Sequence, residues 1–536
     1  MSLDFPDVTR EEDADRWEAR VRASLPKGRT LDTAEETVRG TPVLPTSYHP
    51  TRLLITTDGE DVPGVIELLE GAARGFGWRV EVRAAAEELG TGEPRAPEEQ
   101  DQTGLPTPRV AVIQPDVREE RDDLAPHAID AWKLLQAARR LASRAVADTP
   151  LTSVGLDHVL TIAATPPPIR SSSPDMPARL SGPANLPGPD SYSRVGAGGR
   201  QVVDFIGQPP VRHEPSPYGG RRPVIAYFDT GCGIHPWLNP IVTTYPTGPN
   251  GRTIGFASPT TDPEVNGDRL GRHDGFLDPF AGHGTFVAGI LHQTCPDADI
   301  LSIRVSDGSG ELFESVFLGA LRDLVDWVTG SYGGEALALD VLSLSLGFSH
   351  ETPTSGNFDT AVRELLVTLR QHGCAVVCSA GNSSFDRPLF PAALWEWPGS
   401  RLGLPSEDDL APHIAVGAIN PARDSIALFS NFGPWVNIYA PGVSVLSTAP
   451  GHQGGVQAGS SNPVRSLKRE SLDPDDFRGG FAIGSGTSYA APYIAGRLAN
   501  ALVPGLMNAE PGSASRIDEL HHAVVQLIHE FPTPTT

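Results

Sequence analysis

The sequence contains little cysteine, no long hydrophobic run and no excess of positive charge. Four cysteines occur among 536 residues, no apolar stretch reaches the roughly 18 residues that cross a bilayer, and the formal net charge is −24. Because an acidic chain repels polyanions, we expect neither nucleic acid nor a membrane surface as a partner. The 39% of hydrophobic residues is enough to form packed globular cores.

The cysteines and the first residues bear on the cellular compartment. Cys374 and Cys378 lie in an apolar run that predicts a strand, where about 3.3 Å per residue puts their Cα atoms about 13 Å apart, too far for a disulfide. The start of the chain has neither the basic nor the apolar region of a secretory signal. Together with Cys232 and Cys295, these features indicate reduced thiols and a cytoplasmic protein.

Three regions differ in composition, and we expect the domain boundaries between them. Residues 1–165 contain a small α/β or α+β unit, with strands predicted at 52–57, 78–84, 109–114 and 159–164 and helices at 62–77 and 124–147. Residues 166–215 are rich in proline, serine and glycine and predict a linker or an extended arm. Residues 216–536 alternate short apolar runs with helical patterns.

The apolar runs of the third region predict buried strands. They are VIAYFDTG, IGFAS, ILSIRV, DVLSLSLG, AVVCSAGN and HIAVGAI, with helices predicted at 284–292, 312–329, 359–371 and 487–502. Buried strands that alternate with helices are typical of a parallel sheet covered by helices on both faces. The predicted fold class is therefore α/β.

Three short motifs at the ends of these elements carry a carboxylate, an imidazole and a hydroxyl group. Asp229 begins the triplet DTG after an apolar strand, His283 begins HGT before a helical run, and Ser488 lies in GTSYAAP at the start of a helix rich in glycine and alanine. Each motif alone is more often a turn or a helix cap than a catalytic site. A serine nucleophile needs a base and the base needs an orienting carboxylate, so the three residue types together form a complete set. Their order along the chain, Asp, His, Ser, is also that of a known peptidase family.

These motifs resemble those of the subtilase family of serine peptidases, over roughly residues 220–510. The resemblance implies a catalytic triad of Asp229, His283 and Ser488. It also implies that Asn382, at the end of AVVCSAGN, donates to the oxyanion hole together with the backbone N–H of Ser488. The expected reaction is hydrolysis of peptide bonds through an acyl-enzyme by a serine endopeptidase, for which no cofactor or metal is required.

The resemblance further implies how a peptide or protein substrate is bound. An extended peptide is expected to pair as an added strand with Ser345, Leu346 and Gly347. The facing wall of the pocket for the residue before the cut is assigned to Ser379, Ala380 and Gly381. Since these wall residues are small, we expect the pocket to have room for a bulky apolar side chain.

The chain departs from compact family members in its N-terminal region and in three insertions. The insertions lie at about 240–278, 384–409 and 450–478, and their composition predicts surface loops. The N-terminal region is expected to be an inhibitory prodomain, a module for a regulatory partner, or both, and a prodomain would be removed by a cut between Pro166 and Pro223. Because an intracellular protease must be restrained, we favour restricted processing or conditional activation.

Alternatives to this interpretation differ in class. Relatives in the family bind structural calcium, but the acidic clusters at 407–409 and 473–476 match no ligand spacing, so no metal residue is assigned. A catalytically silent subtilase fold, serving as a peptide-binding or scaffold protein, is the main alternative, and the intact set of four site residues argues against it. An α/β-hydrolase lipase or esterase needs Gly-x-Ser-x-Gly, where this chain has Ala490 instead of the second glycine.

Overall fold

Two sheets of seven strands each dominate the structure, a computed structural model. It describes residues 28–31, 43–56, 62–85, 107–116, 128–145, 151, 153–162, 192, 199–214, 216, 221–270, 275–331, 333–351, 360–400, 407–503 and 513–534. Residues 163–191, which include much of the predicted linker, lie outside the described residues. Among the helices in the described ranges, none is long and apolar enough to cross a membrane.

The N-terminal region folds around an antiparallel sheet. Its elements are β1 (Arg29–Leu31), β2 (Thr46–Ile55), α1 (Val62–Arg74), β3 (Trp78–Ala84), β4 (Arg109–Pro115), α2 (Ala131–Ala145) and β5 (Val154–Ile162). The strand order is β5-β2-β4-β3, with β1 beside β2, and the two helices pack on each other and on the sheet. Trp78 and Trp132 are both buried in this core. Of the two predicted arrangements, the structure is therefore α+β.

Two short strands from the second half of the chain extend this sheet. They are β10 (Glu311–Phe313) and β12 (Leu346–Gly347), and both pair antiparallel with the last residues of β5. The first half of β5 pairs with β2, whereas its second half lies between β10 and β12. The N-terminal region is thus joined to the remainder of the protein by backbone hydrogen bonds of a shared sheet.

The second sheet is built from the predicted apolar runs. Its strands are β7 (Val224–Asp229), β8 (Val242–Thr244), β9 (Asp299–Arg304), β11 (Val341–Leu344), β13 (Ala375–Ser379), β14 (His413–Ile419) and β15 (Ile438–Pro441). The order is β15-β14-β13-β11-β7-β9-β8, and every neighbouring pair is parallel. The central strands are buried along their whole length, as expected for a sheet covered on both faces. The predicted α/β class is confirmed.

In the described part of the chain, helices surround this sheet. They are α3 (His283–Thr294), α4 (Glu314–Val328), α5 (Thr360–Gln371), α6 (Thr487–Leu502) and α7 (Ala514–Glu530). Helix α6 packs on β11, β13, β14 and β15 and contacts α3 and α7, while α4 and α5 pack on each other. A small antiparallel sheet of β6 (Gln201–Val202), β16 (Val445–Thr448) and β17 (Phe481–Gly484) lies beside α3.

Some predicted bounds and one predicted strand were wrong. The helix predicted at 124–147 begins at Ala131, and the strand predicted at 159–164 begins at Val154. The run IGFAS is not a strand, because Gly255 has φ +80°, and a Cβ on it would lie 2.4 Å from the carbonyl oxygen of Arg304. The chain turns there, so hydrophobicity alone was misleading.

Candidate active site

The carboxylate and the imidazole of the first two motifs meet at the carboxyl end of the parallel sheet. Asp229 ends β7 and is fully buried, and His283 is the first residue of α3. The Nδ1 atom of His283 lies 2.8 Å from Oδ1 and 3.0 Å from Oδ2 of Asp229. A carboxylate at Nδ1 sets the tautomer in which Nε2 is the basic nitrogen.

The glycines of the two motifs allow this approach. A Cβ on Gly284 would lie 2.0 Å from the carbonyl oxygen of Gly231, so a larger residue would force the start of α3 away from the end of β7. Gly231 itself has φ +121°, a backbone conformation that favours glycine. Both glycines therefore serve the contact between Asp229 and His283.

Thr487, the residue before Ser488, links Ser488 to Asn382. Thr487 begins α6, and its backbone N–H and hydroxyl donate to Oδ1 of Asn382 at 2.9 and 2.8 Å. These bonds hold the amide with Oδ1 towards Thr487, so that Nδ2 points the other way. Ser488 is fully buried at the positive end of the α6 dipole, a position that favours negative charge on a nearby oxygen.

The reactive atoms of the predicted base and nucleophile are Nε2 of His283 and Oγ of Ser488. Both are buried, and within the described part of the chain neither makes a hydrogen bond. The ring of His283 lies beside that of Tyr489, with centroids 5.4 Å apart, so the first turns of α3 and α6 are adjacent. Catalytic hydrogen bonds are often long without substrate and shorten in the complex.

A buried glutamate that the sequence did not reveal supports the start of α3. Glu264, 2% exposed, accepts hydrogen bonds from the hydroxyls of Thr230 and Thr285 at 2.5 Å and from the backbone N–H groups of Gly284 and Thr285 at 3.2 and 3.3 Å. Burial raises the pKa of Glu264 to about 7, against the lowering effect of the two threonine hydroxyls.

Glu264 also corrects the prediction for the first insertion, which is not a surface loop throughout. Asp262 and Asp278 in the same insertion are buried as well. These hydrogen-bond partners of Glu264 are 20 to 34 residues away along the chain, so no local spacing marks it. A charged residue in a loop signals such a role only after the tertiary structure shows it buried.

The strand predicted to bind substrate already has an antiparallel partner. Leu346 and Gly347 of β12 pair with Ile162 and Thr161 of β5. On the other edge of β5, the backbone N–H of Ile162 donates to the carbonyl of Gly310 at 2.8 Å. The chain's own N-terminal region thus occupies the groove that Ser345, Leu346 and Gly347 were predicted to line, and the Ser345 hydroxyl donates to the carbonyl of Ser488 at 3.0 Å.

The two predicted pocket walls face a leucine from the second insertion. A Cβ on Gly347 would lie 2.6 Å from Cδ2 of Leu389, and one on Gly381 would lie 2.9 Å from the same atom. Ser379 and Ala380, the other wall residues, are fully buried. Leu389 therefore fills part of the space between the walls, which contradicts the expected room for a bulky side chain and favours a small one.

One group in the described residues has the composition of a metal site. Ligand atoms of His158, His350 and Glu351 all lie within 4.8 Å of one another, and all three residues are buried. Both ring nitrogens of His158 are engaged by carboxylates, however, at 2.6 Å by Glu314 and 2.8 Å by Glu351. A ring that donates from both nitrogens has no lone pair for a metal, so the cluster fits a buried ion-pair network.

Comparison with known proteins identifies the family. A family model described as the subtilase family matches residues 220–512, more than half of the chain. The chain belongs to the subtilase family. This subtilase is accordingly a hydrolase of the serine protease type, whose substrates are peptides.

Individual relatives differ in how much of them the subtilase matches. It is 30% identical to the intracellular serine protease of Paenibacillus polymyxa over 322 residues, 57% of this chain and 73% of that protein. It is 29% identical to subtilisin-like protease 3 of Trichophyton equinum over 253 residues, and spans 49% of that protein's length. The crystal structure of fervidolysin from Fervidobacterium pennivorans matches 89% of this chain and 57% of its own, at 18% identity and a TM-score of 0.44. The family assignment is based on the family model.

Proposed function

We propose that this subtilase is a serine endopeptidase in which Ser488 is the nucleophile, His283 the general base and Asp229 the residue that orients the base. The contact of 2.8 Å between Asp229 and Nδ1 of His283 carries the proposal. The pairing supports a histidine whose Nε2 accepts the proton of Ser488 as its Oγ attacks the peptide carbonyl. Nε2 then returns that proton to the leaving amine, and water hydrolyses the acyl-enzyme by the same route.

Asn382 is proposed as the side-chain donor to the oxyanion. Its Oδ1 is occupied by Thr487, which supports an orientation of Nδ2 towards the developing charge. One such donor contributes about 3 kcal/mol to stabilisation of the transition state. The backbone N–H of Ser488 is the second donor in this proposal. The absence of a cofactor requirement and the cytoplasmic location stay predictions.

The docked N-terminal region supports conditional activation rather than bulk digestion. Strand β5 takes the place of an extended substrate between β10 and β12, so the uncleaved chain blocks its own groove. We propose that this region is a prodomain that the enzyme removes from itself. A regulatory module that binds a partner remains the alternative for the same residues.

The register of β5 supports a position for the cut. Ile162 pairs with Leu346, and the preceding Ser345 contacts Ser488. Since Ser345 comes one residue before Leu346 in the antiparallel strand, a substrate residue one place beyond the position of Ile162 would stand before the cut, so we expect cleavage of the bond between residues 163 and 164. This position precedes the Pro166–Pro223 segment in which the composition had suggested a cut, and an alanine before the bond agrees with the pocket that Leu389 narrows.

Intact-mass measurement of the purified chain over time tests both the assignment of Ser488 as nucleophile and the removal of the N-terminal region. The wild type should react with a fluorophosphonate probe and lose residues 1–163, whereas Ser488→Ala should do neither. Ser461→Ala, which alters an exposed serine, should behave as wild type. Cleavage by Ser488→Ala at the wild-type rate would refute the nucleophile. A wild type that reacts with the probe but stays intact would refute the prodomain alone, and one that fails to react would favour the silent scaffold.

A further inference from the structure

His158 of β5 is buried against residues from the second half of the molecule, and the role that follows for these residues rests on the proposed function. Side chains of alternate strand residues point to the same face. In β5, Leu160 and Ile162 are buried against the groove while Thr161 between them is exposed. His158 shares the face of Leu160 and Ile162 and is 2% exposed.

The side chain of His158 contacts residues of the catalytic region, which is residues 216–536. Its Nδ1 lies 2.6 Å from a carboxylate oxygen of Glu314, at the start of α4, and its Nε2 lies 2.8 Å from one of Glu351. The imidazole ring stacks on Phe348, with centroids 4.8 Å apart, and His350 lies 5.0 Å away. The result is a pocket of two carboxylates and one aromatic face.

The two carboxylate contacts, one at each ring nitrogen of His158, favour a protonated imidazole in this pocket. Burial by itself lowers the pKa of His158, but the hydrogen bonds with Glu314 and Glu351 outweigh it and raise that pKa to about 10. Burial in turn lowers the pKa of His350 to about 4, so His350 adds no charge at neutral pH. A protonated His158 donates from both nitrogens and neutralises one of the two carboxylates.

Other charges near the pocket divide between the two parts of the chain. Arg139, 4.0 Å from Glu351, and Asp157, which accepts from the N–H and hydroxyl of Ser315, belong to the N-terminal region. Arg387 belongs to the catalytic region and donates to the carbonyls of Pro45 and His350. When the N-terminal region leaves, the neighbours that Glu351 keeps in the described residues include Arg387 and His350, whose Nδ1 lies 3.5 Å from it. With His350 neutral, the pocket then has an excess of negative charge.

We propose that Glu314, Glu351 and Phe348 form a subsite that selects protein substrates with a basic side chain, arginine above all, at the sixth residue before the cut. That is the place of His158 when residue 163 precedes the bond. An ammonium or guanidinium group there restores the paired state of carboxylates that are costly to leave buried and unpaired. A guanidinium also stacks on an aromatic face and forms bidentate hydrogen bonds with a carboxylate, which favours arginine over lysine.

The test measures cleavage of peptides by the full chain after self-processing. Quenched fluorescent peptides carry the chain's own residues 157–166, with Arg, Lys, Ala or Glu in place of His158. A released N-terminal region that still binds is a competitive inhibitor and lowers kcat/KM by the same factor for each peptide, so their ratios are unaffected. We expect kcat/KM for the Arg peptide to exceed that for the Ala peptide about tenfold or more, with the Glu peptide below Ala.

Substitutions of Glu314 and Glu351 test whether these carboxylates cause the preference for arginine. Glu351→Gln and Glu314→Gln should each reduce the Arg-to-Ala ratio at least about threefold, whereas Glu335→Gln, at an exposed site, should leave it unchanged. Equal kcat/KM for the Arg and Ala peptides with wild-type enzyme would overturn the subsite even if no variant folds. A shorter peptide that begins at residue 160 separates the two hypotheses. If this shorter peptide is cleaved and the longer series shows no preference for Arg, only the subsite is refuted. If none of the peptides is cleaved, the proposed function is refuted as well.

Discussion

Replacement of Glu264 with glutamine should remove a pH-dependent part of the protein's stability. Burial raises the pKa of Glu264 from 4.5 to about 7 in the folded state. Between these values the folded protein retains a proton that the unfolded chain has lost, so the free energy of unfolding falls as the pH rises through this window. At 1.36 kcal/mol per pKa unit, the whole shift corresponds to about 3 kcal/mol, of which about 2.5 kcal/mol falls between pH 5 and pH 8.

Glutamine is the neutral isostere of the protonated side chain and cannot ionise. Relative to its parent, Glu264→Gln should therefore gain about 2 to 3 kcal/mol of stability when the pH is raised from 5 to 8. Asp262 and other groups titrate too, but they are common to both proteins, so the difference between the two curves isolates Glu264. Urea unfolding in a Ser488→Ala background, which prevents self-digestion, provides the measurement.

The test at Glu264 depends on how the stability difference between variant and parent changes with pH, not on the absolute stability of either protein. The amide N–H of glutamine faces donors such as the Thr285 hydroxyl, so the variant is expected to be less stable than its parent at pH 5. An exposed control, Glu335→Gln, should show no pH-dependent difference from the parent. If the difference between Glu264→Gln and its parent were also flat from pH 5 to pH 8, the assignment of a proton to this buried carboxyl would be refuted.

Two further substitutions address catalysis and the pocket. Asn382→Ala should lower kcat about 100-fold or more with little change in KM, because the lost donor acts on charge that develops in the transition state. Asn382→Asp, which keeps the acceptor for Thr487, should be equally slow. A change confined to KM would contradict the role of Asn382 as an oxyanion donor. Leu389→Ala should raise the kcat/KM ratio of peptides with leucine before the cut over those with alanine about tenfold, since it opens the space between Gly347 and Gly381. The same change at the exposed Leu428 should leave that ratio unaltered, and an unaltered ratio for Leu389→Ala would show that this side chain does not limit the pocket.

Local patterns predicted the elements that are regular and long. Helix α6 was predicted with its observed bounds, 487–502, because its start and its glycine- and alanine-rich course are both visible in the sequence. The strands that end at Asp229 and Ser379 were found because they are apolar on both faces and bounded by glycine. The IGFAS run failed by the same criterion, since the backbone turn at Gly255 depends on the close approach of Arg304.

Contacts between distant parts of the chain were beyond the reach of such patterns. The insertion that contains Glu264 was predicted to be a surface loop because of its composition, and only the packing of Glu264 under α3 reveals its burial. The expectation of a roomy pocket failed because the sequence does not show that Leu389 reaches both walls. The pairing of β5 with β12 was likewise invisible, since strand pairing across most of the chain leaves no local signal.

The sequence by itself determined the family, the α/β class and the four residues proposed for catalysis, because each depends on residue types in short motifs at the ends of predictable elements. Tertiary structure alone decided what surrounds them: the carboxyl of Glu264 beneath the start of α3, the narrowing of the pocket by Leu389, and the place of His158 between Glu314 and Glu351. Those features are set by burial and by distances between residues far apart in the chain. Burial also decides whether a carboxyl is charged, which makes the setting of this site a property of the fold rather than of any motif.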